Sequence, residues 1–337
     1  MEAPRISICI PTYNRRRYLN ETITSILNQV MPKDSSLVEI CISDNASTDG
    51  TEALIQDLQR NTSVRIVYSR NATNLGADAN YLRAVELASG DYCWYMGSDD
   101  VAIPGSLARF LREIDEEHDI YLCNRIDCDI EMNYICDRYW LDASIQSEIF
   151  DFADPNQFSK YADYSKSVGA LFGYLSSIVF KRKKWQAVAI DPIFIGSAYS
   201  HAYMLLSFVK TGCSLKYISD HLVKSRGGND SFWSPSNDGI IKRIMIDIDG
   251  YFLLAERLFA YSPAHFNGVL KVLRAERPSM KTLSILRLRA NEQVWDQIVE
   301  RCKKAGYSAL LIHLIGMMKP VLLIIKRIRD YSVSRSV

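Results

Sequence analysis

The chain has 337 residues, 48% of them hydrophobic and 23% charged, which predicts a globular protein with one large domain or a core domain plus an appendage. Its formal net charge of +1 argues against a general polyanion binder, so no nucleic-acid partner is expected. The eight cysteines form no C-x-x-C pair or metal-binding spacing, and residues 1–12 lack the layout of a signal peptide, which together favour a reduced, cytoplasmic compartment.

The first hundred residues alternate short apolar runs with stretches of helical periodicity. The apolar runs that predict strands lie at residues 6–10, 38–42, 64–68 and 91–96. Helices are predicted between them at residues 18–27, around residues 54–58, and at residues 78–88. Strand, loop and helix therefore repeat three times before a fourth strand, with connections long enough for parallel pairing. This pattern predicts one half of a doubly wound α/β sheet.

Polar loops follow all four predicted strands. They are Pro11 to Asn14, Ser43 to Asn45, Asn71 to Gly76, and Ser98 to Asp100. Because ligands of such sheets bind beyond the carboxyl ends of the strands, we expect these loops to meet at one edge. The loop after the first strand contains no glycine, which excludes a Rossmann dinucleotide fingerprint, and the chain has no Walker P-loop. A nucleotide bound here would have to be held by carboxylates and a metal ion.

Three carboxylates in these loops are candidates for that task. Asp44, when ionised, could accept the N3 proton of uracil or thymine or the exocyclic amine of cytosine; the alternative is an Asx turn or a helix N-cap. Asp99 and Asp100 could bind a divalent cation that neutralises a departing diphosphate. The alternative for this pair is a polar turn that caps the helix predicted from Pro104 to Ile114.

Four motifs occur in a fixed order and spacing within residues 5–105. They are Ile10–Arg15 (IPTYNR), Ile42–Thr51 (ISDNASTDGT), Asn74–Gly76 (NLG) and Ser98–Asp100 (SDD). Together they resemble the nucleotide-binding half of family 2 glycosyltransferases, which have the GT-A fold, a Rossmann-like, mostly parallel sheet flanked by helices. One departure is Gly97, because many members of that family carry a further aspartate at this position.

The resemblance implies a nucleotide-sugar site with defined roles. In that family, Asp44 would contact the base, Asp99 would lie near the ribose or the metal, and Asp100 would bind Mg²⁺ or Mn²⁺. The expected nucleotide-sugar site consists of Pro11, Thr12, Tyr13, Arg15, Asp44, Asn74, Gly76, Ser98 and Asp99, with Arg226 and Asn229 from a later loop.

The second half of the chain gives weaker signals. Residues 127–165 read as irregular, acidic and rich in aromatic residues, which fits either acceptor loops or core packing. Residues 167–180 are small, apolar and β-prone, and suggest a sheet near the sugar pocket. Residues 223–232 contain Gly227 and Gly228, typical of a mobile loop that closes on phosphates, in which Arg226 could pair with the diphosphate; plain turn chemistry is the alternative.

His201 is the candidate general base. Inverting members of family 2 usually place a Glu-Asp pair at the start of a helix in this region, whereas this chain has Ser200 and His201. A histidine with a pKa near about 6.5 can act as a base at neutral pH. The alternatives are a histidine satisfied in the core and an unseen carboxylate, and the stereochemical outcome of the reaction stays open with them.

A narrower resemblance extends over most of residues 5–235. Its motifs are Tyr92–Trp94 before Gly97–Asp100, then Gly173–Ser177, Tyr199–His201 and Arg226–Phe232. They are similar to the bacterial abequosyltransferases of O-antigen assembly. This resemblance implies a CDP-linked 3,6-dideoxyhexose donor and a mannose-containing acceptor on undecaprenyl diphosphate.

The predicted organisation is a GT-A domain over residues 1–235, with a nucleotide-binding half at 1–105 and an acceptor half at 106–235, followed by a helical region at 236–337. Residues 309–325 are apolar but interrupted, and too short to cross a bilayer. Residues 301–337 carry eight Lys or Arg against one acid, which predicts a segment lying on the cytoplasmic face of the inner membrane. A helix packed on the body, or an oligomer contact, is the alternative.

The function that these observations predict is metal-assisted transfer of a sugar from a nucleoside diphosphate to a lipid-linked oligosaccharide. Nucleotidyl transfer also uses paired aspartates and a metal ion, and is the rival enzymatic hypothesis. A non-catalytic nucleotide-binding scaffold of a membrane assembly is the third hypothesis, because Ser200 and His201 replace the usual carboxylate pair.

Overall fold

The computed structural model describes residues 3–229 and 236–324, apart from the side chains of residues 237 and 238. The chain divides into two compact units, Met1–Asn229 and Asp230–Val337. Asp230, Ser231 and Phe232 of the predicted glycine loop, and the basic residues predicted beyond residue 324, lie outside the described residues.

The first unit is built on one mixed sheet. Its strands are β1 (Ile6–Thr12), β2 (Val38–Asp44), β3 (Arg65–Arg70), β4 (Tyr92–Tyr95), β5 (Val101–Ala102), β6 (Ile120–Cys128), β7 (Tyr134–Arg138), β8 (Glu148–Asp151), β9 (Ile178–Lys181) and β10 (Ser214–Arg226). Its α-helices are α1 (Arg16–Leu27), α2 (Thr51–Asn61), α3 (Ala77–Glu86), α4 (Ser106–Glu113), α5 (Pro155–Tyr164), α6 (Arg182–Gln186) and α7 (Ser200–Thr211).

The strand order is β3-β2-β1-β4-β9-β6-β10-β5, with β7 paired to β6 and β8 paired to β10. The first four strands of this order are parallel, as the sequence predicts. Strand β9 then runs antiparallel between β4 and β6, and β10 is parallel to β6. The predicted parallel half is therefore joined to a mixed second half in the same sheet.

Strand β1 lies in the centre of the parallel half and every one of its residues is buried. Such a strand is apolar on both faces because helices cover the sheet on both sides. Helix α1 buries Leu19, Ile23 and Ile26, the positions that give it its helical periodicity. On α4, the ring of Phe110 packs on Trp94 of β4 with ring centres 4.8 Å apart. Burying each of these apolar side chains stabilises the folded state by about 1.5–3 kcal/mol relative to leaving it exposed to water.

Residues 167–180 differ from the sequence prediction. Only Ile178–Lys181 is a strand, and the preceding residues form two 3₁₀ turns at Val168–Leu171 and Leu175–Ser177. A Cβ on Gly169 would lie 2.0 Å from the Trp140 ring, so this segment is buried by close packing and not by strand pairing.

Residues 127–165 are more regular than predicted. They contain β7, β8 and α5, and α5 begins with Asp154 accepting the Asn156 N–H and proline at its first turn. These are ordinary helix-start signals that the sequence carries.

The second unit is helical, which confirms the predicted helical C-terminal region. Its helices are α8 (Asn237–Phe259), α9 (Pro263–Glu276), α10 (Ser279–Arg289), α11 (Glu292–Lys304) and α12 (Ala309–Met317). Asp247 is buried in this unit and pairs with Arg243 of its own helix and with Arg277 after α9. Within residues 3–229 and 236–324, none of the helices has both the length and the apolar character needed to span a bilayer.

Candidate functional site

The carboxyl ends of β1, β2 and β4 lie side by side. Thr12 ends β1 and pairs in register with Asp44, which ends β2. The N–H of Asn45 donates to the Thr12 carbonyl over 2.9 Å. Strand β4 runs parallel on the other side of β1 and leads into Gly97–Asp100. The loops that follow these three strands therefore leave the sheet at one edge.

The loop after β1 is fixed to the loop after β2. Asn14 adopts a left-handed φ of +50°, which asparagine tolerates, and its N–H donates to the Ser47 hydroxyl over 2.8 Å. Its side-chain oxygen accepts the Thr48 N–H at 2.8 Å. Pro11 is buried, whereas the Tyr13 side chain is exposed at this edge. The exposed ring is available for stacking on a planar ligand.

Thr12 carries a polar atom that the described residues leave unsatisfied. Its hydroxyl oxygen is buried and has no hydrogen-bond partner among them. A buried hydroxyl without a partner costs free energy, and a ligand with a matching donor or acceptor can remove that cost.

Asp44 is fully buried and its carboxylate is fixed by two donors. One oxygen accepts the Ser47 N–H at 2.9 Å, which is the Asx turn that the sequence offered as an alternative role. The other accepts the Tyr68 hydroxyl at 2.7 Å. Burial and the Asp44 charge raise the pKa of Tyr68 above its usual value. Each carboxylate oxygen keeps a second lone pair, so these contacts orient Asp44 without using up its capacity as an acceptor.

Asn74 and Gly76 belong to an amide network that shapes the edge. Asn45 donates to the Asn74 side chain at 2.7 Å and to the Gly76 carbonyl at 3.2 Å. Asn80 on α3 donates to the carbonyls of Thr12 and Ser43. Gly76 has a φ of +83° and begins α3. Asn80 was not among the site residues predicted from the sequence. A polar residue in the first turns of a helix that follows such a loop is the signal that would have indicated it.

Asp99 follows β4 at this edge of the sheet, its side chain is 14% exposed, and two donors hold its carboxylate. Its Oδ2 contacts Arg15 Nη1 at 2.8 Å and accepts the Asn229 side-chain N–H at 2.9 Å. Burial and the neighbouring Asp100 charge raise the pKa of Asp99 to about 6, against the opposing effect of Arg15. The two carboxylates repel each other, and a cation bound between them would relieve that repulsion.

Asp100 is buried and faces inward. Its Oδ2 accepts the Ser176 hydroxyl, and its Oδ1 accepts the Arg226 backbone N–H at 3.3 Å. Its own carbonyl accepts the Thr22 hydroxyl at 2.7 Å, which fastens the turn to α1. Ser98, which precedes Asp99 in this turn, is also buried.

The carboxylates of Asp99 and Asp100 fit a hard divalent cation whose remaining ligands come from water and from the phosphates of a bound nucleotide. The described part of the chain groups no third His, Cys, Asp or Glu with them. Mg²⁺ is commonly held by only one or two carboxylates, with water and substrate phosphates completing its shell. The adjacent acids and the raised pKa of Asp99 therefore fit a metal ion that arrives with a diphosphate.

The structure corrects the role predicted for Arg226. This residue ends β10 and does not belong to a free loop, and its side chain is only 1% exposed. Its guanidinium donates to the carbonyls of Asp99 at 3.0 Å and Ile130 at 2.6 Å, pairs with Glu21, and lies 4.6 Å from the centre of the Tyr18 ring. With these contacts the guanidinium connects Asp99, Ile130 and Glu21, and its N–H groups are not available to a diphosphate.

The glycine loop after Arg226 is also tied down where it is described. The Gly227 N–H donates to the Cys128 carbonyl over 2.8 Å, and a Cβ on Gly227 would lie 2.6 Å from that oxygen. The predicted mobility therefore does not apply to this part of the loop.

His201 lies in an aromatic pocket, and this position counts against the general-base role predicted for it. Its ring packs edge-on against Tyr81 and Tyr95 and near Tyr199, and the residue is 3% exposed. Burial lowers the pKa of His201 to about 4, against a smaller effect of Asp78. A base needs access to the acceptor hydroxyl, which this position does not offer.

We expect His201 to make stability dependent on pH. Its pKa is about 4 when folded and about 6.5 when unfolded, so between these values the unfolded chain binds a proton that the folded chain does not. The contribution of His201 to stability should therefore fall by about 2 kcal/mol between pH 7 and pH 5, while Asp99, whose folded pKa is raised to about 6, contributes with the opposite sign in both the wild type and the variant. In urea unfolding, His201→Phe should remove this loss, and sugar transfer should change less than about threefold. An unchanged pH dependence together with a drop of about 10²–10⁴-fold in turnover would restore the base.

Asp78 is a structural anchor that sequence analysis missed. Its Oδ2 accepts the backbone N–H groups of Gly196 and Ala198, both at 2.8 Å, and its Oδ1 accepts that of Ser200 at 3.0 Å. Asp78 itself belongs to α3, but its carboxylate lies at the N-terminus of α7, where a negative charge interacts favourably with the helix dipole. Asp78 thus holds the segment before α7 against α3.

The sequence matches the profile of "Glycosyl transferase family 2" over residues 7–178. It is 39% identical over 313 residues to "Abequosyltransferase RfbV" of Salmonella typhimurium, covering 92% of each chain.

Among solved structures, the fold is similar to S. aureus TarS 1-349 in complex with UDP, with a TM-score of 0.62 and 15% identity, covering 94% of this chain and 86% of that one. It is also similar to mannosyltransferase PcManGT from Pyrobaculum calidifontis in complex with GDP-Man and Mn²⁺, with a TM-score of 0.56 and 15% identity, covering 98% and 88%. These two likenesses concern the fold alone, and they confirm the predicted GT-A architecture.

Proposed function

Because the chain belongs to glycosyl transferase family 2 and is a glycosyltransferase, we propose that it moves a 3,6-dideoxyhexose from a CDP-linked donor to a lipid-linked O-antigen oligosaccharide. The observation that carries this proposal is the meeting of Thr12, Asp44 and the Asp99–Asp100 pair at one edge of the sheet. The identity of 39% to an abequosyltransferase over nearly the whole chain supports the choice of sugar.

The nucleotide is held by the ends of β1 and β2. Asp44, oriented by Ser47 and Tyr68, accepts a hydrogen bond from the base. The exposed Tyr13 ring stacks on it, and the Thr12 hydroxyl gains the partner it lacks among the described residues. The remaining residues of the expected site shape the sheet edge against which the nucleotide lies, and they are Pro11, Asn74, Gly76 and Ser98.

The diphosphate lies next to Asp99 and Asp100, which would hold Mg²⁺ or Mn²⁺. Such a cation neutralises the diphosphate as it leaves the sugar. Arg15 contacts Asp99, donates to the Asn229 carbonyl at 3.0 Å and is 22% exposed, so its guanidinium is placed to contact a phosphate beside Asp99 as well. Asn229 also holds Asp99 in place, through a hydrogen bond of 2.9 Å.

The test is a donor screen with Mn²⁺ followed by product analysis. CDP-sugars should raise the melting temperature more than UDP-, dTDP- or GDP-sugars. Incubation with a lipid-linked acceptor should then release free CDP. Release of pyrophosphate would indicate nucleotidyl transfer, and absence of any donor turnover would indicate a scaffold; either result contradicts the proposal.

The second unit carries an apolar stripe that we assign to membrane contact. The stripe consists of Leu310, Leu314, Met317, Val321 and Ile324, each 43–69% exposed. The first three lie on one face of α12, and Val321 and Ile324 continue the same spacing in the helical residues 319–324 that follow the turn at Met318. The opposite face buries Ile312 and Ile315. An exposed apolar face of this kind suits the boundary of head groups and acyl chains, where a lipid-linked acceptor is presented.

We expect the variant Leu310→Glu, Leu314→Glu, Met317→Glu to bind vesicles containing phosphatidylglycerol at least about tenfold more weakly than the wild type, because three side chains no longer enter the bilayer. Co-sedimentation measures the bound fraction. Met280→Glu is the matched control, since Met280 is 59% exposed on α10 outside the stripe. Equal sedimentation of all three proteins would remove the membrane assignment.

A further inference from the structure

The buried side of Asp100 is closed by three segments that are distant in sequence. Ser176 lies in the 3₁₀ turn Leu175–Ser177, Arg226 ends β10, and Gly97 follows β4. All three contact the Asp100 carboxylate or lie against it. Ser176 is fully buried, so its hydroxyl meets no bulk water.

The Ser176 hydroxyl has a defined direction. Its oxygen accepts the Gly97 N–H at 2.8 Å, and its only hydrogen is then directed to Asp100 Oδ2. The Ser176 carbonyl accepts the Trp94 indole N–H at 2.9 Å, which fixes the turn to β4. A hydrogen bond to a carboxylate is about twice as strong as one between neutral groups.

Gly97 is the steric counterpart of this hydrogen bond. A Cβ at position 97 would lie 2.6 Å from Asp100 Oδ2 and 3.3 Å from the Ser176 oxygen. Any other residue would therefore push the carboxylate away from Ser176. The glycine that departs from the family pattern is explained by the inward position of Asp100.

We propose that Ser176 is a positioning residue that fixes Oδ2 of Asp100, so that Oδ1 is presented to the divalent cation. Oδ1 accepts the Arg226 backbone N–H over a long 3.3 Å, so it can form a bond to a metal ion more readily than Oδ2, which accepts the short Ser176 hydrogen bond. This inference rests on the proposed metal-assisted transfer. Groups that orient a metal ligand in this way typically change metal affinity by about 10–100-fold when removed.

The experiment compares Ser176→Ala with Ser177→Ala. Ser177 is the adjacent buried serine, and its hydroxyl accepts the Trp140 indole N–H at 3.1 Å instead of contacting Asp100. Free Mn²⁺ is measured by electron paramagnetic resonance during titration in the presence of CDP. Ser176→Ala should bind Mn²⁺ about 10–100-fold more weakly, and Ser177→Ala within about twofold of the wild type. Transfer by Ser176→Ala should recover at high Mn²⁺, which a general loss of structure would not allow.

Gly97→Ala tests the same contact from the other side. It should weaken Mn²⁺ binding to a similar degree, and the double variant should be little worse than either single variant, because both remove one interaction. Mn²⁺ affinities of Ser176→Ala within twofold of the wild type, or fully additive effects, would overturn the positioning role. A wild type that binds no Mn²⁺ with CDP, UDP, dTDP or GDP would instead overturn the metal-assisted function, and the inference with it.

Discussion

Asp100→Asn is expected to lower the rate of sugar transfer by about 10²–10⁴-fold at saturating donor and Mn²⁺. The loss follows because a metal ion supplies several kcal/mol of charge stabilisation, and each 1.36 kcal/mol is a factor of ten in rate. The substitution keeps the shape of a side chain that is buried and bonded on both oxygens. It also removes the charge that raises the pKa of Asp99.

The control for this variant is Asp91→Asn. Asp91 directly precedes β4, is exposed, and lies at the end of that strand away from the site. It should keep full activity and the melting temperature of the wild type, and circular dichroism should show that Asp100→Asn is folded at the assay temperature. Full transfer activity in Asp100→Asn would remove Asp100 from the metal site.

Arg226→Met should destabilise the first unit by about 3 kcal/mol, because it leaves the Asp99 and Ile130 carbonyls without their donors and Glu21 without its buried partner. For a unit of this size, the melting temperature should fall by roughly 6–12 °C. Calorimetry or circular dichroism measures the shift. A contact to diphosphate, as the sequence predicted, would instead raise the KM for the donor while the melting temperature stayed the same.

Arg17→Met is the matched control for Arg226→Met. Arg17 also pairs with Glu21, at 3.6 Å, but its side chain is 68% exposed. An exposed ion pair contributes about 0–1 kcal/mol, so this variant should melt within about 3 °C of the wild type. Similar shifts in the two variants would show that burial of Arg226 does not matter.

The parallel half of the sheet could be predicted because its signals are local. Apolar runs of strand length, polar loops and helical periodicity follow one another along residues 6–95, and the ends of the observed elements differ from the predicted ones by only a few residues. Residues 167–180 were predicted as sheet because a buried 3₁₀ segment and a buried strand have the same composition. What distinguishes them is the contact between Gly169 and Trp140, which no local pattern records.

Sequence reasoning placed Asp44, Asp99 and Asp100 at one edge of the sheet, and the structure brings them to it. It could not tell which of the neighbouring cations is partly exposed and which is buried. Arg15 and Arg226 both lie beside Asp99, yet the first is partly exposed and the second is buried. The same holds for His201, whose aromatic surroundings come from α3, β4 and the start of α7.

The sequence by itself determined the order of the elements within residues 6–95 and the acidic loops that follow the strands, because periodicity and motif spacing are properties of neighbouring residues. The GT-A architecture was implied by the resemblance of those motifs to family 2 glycosyltransferases. Only the tertiary structure decided that Ser176 and Gly97 set the direction of Asp100, and that Arg226 holds the site together. The physical reason is that burial and hydrogen-bond partners depend on which distant segments pack together, and a buried donor can serve only the acceptors that the fold places within about 3 Å of it.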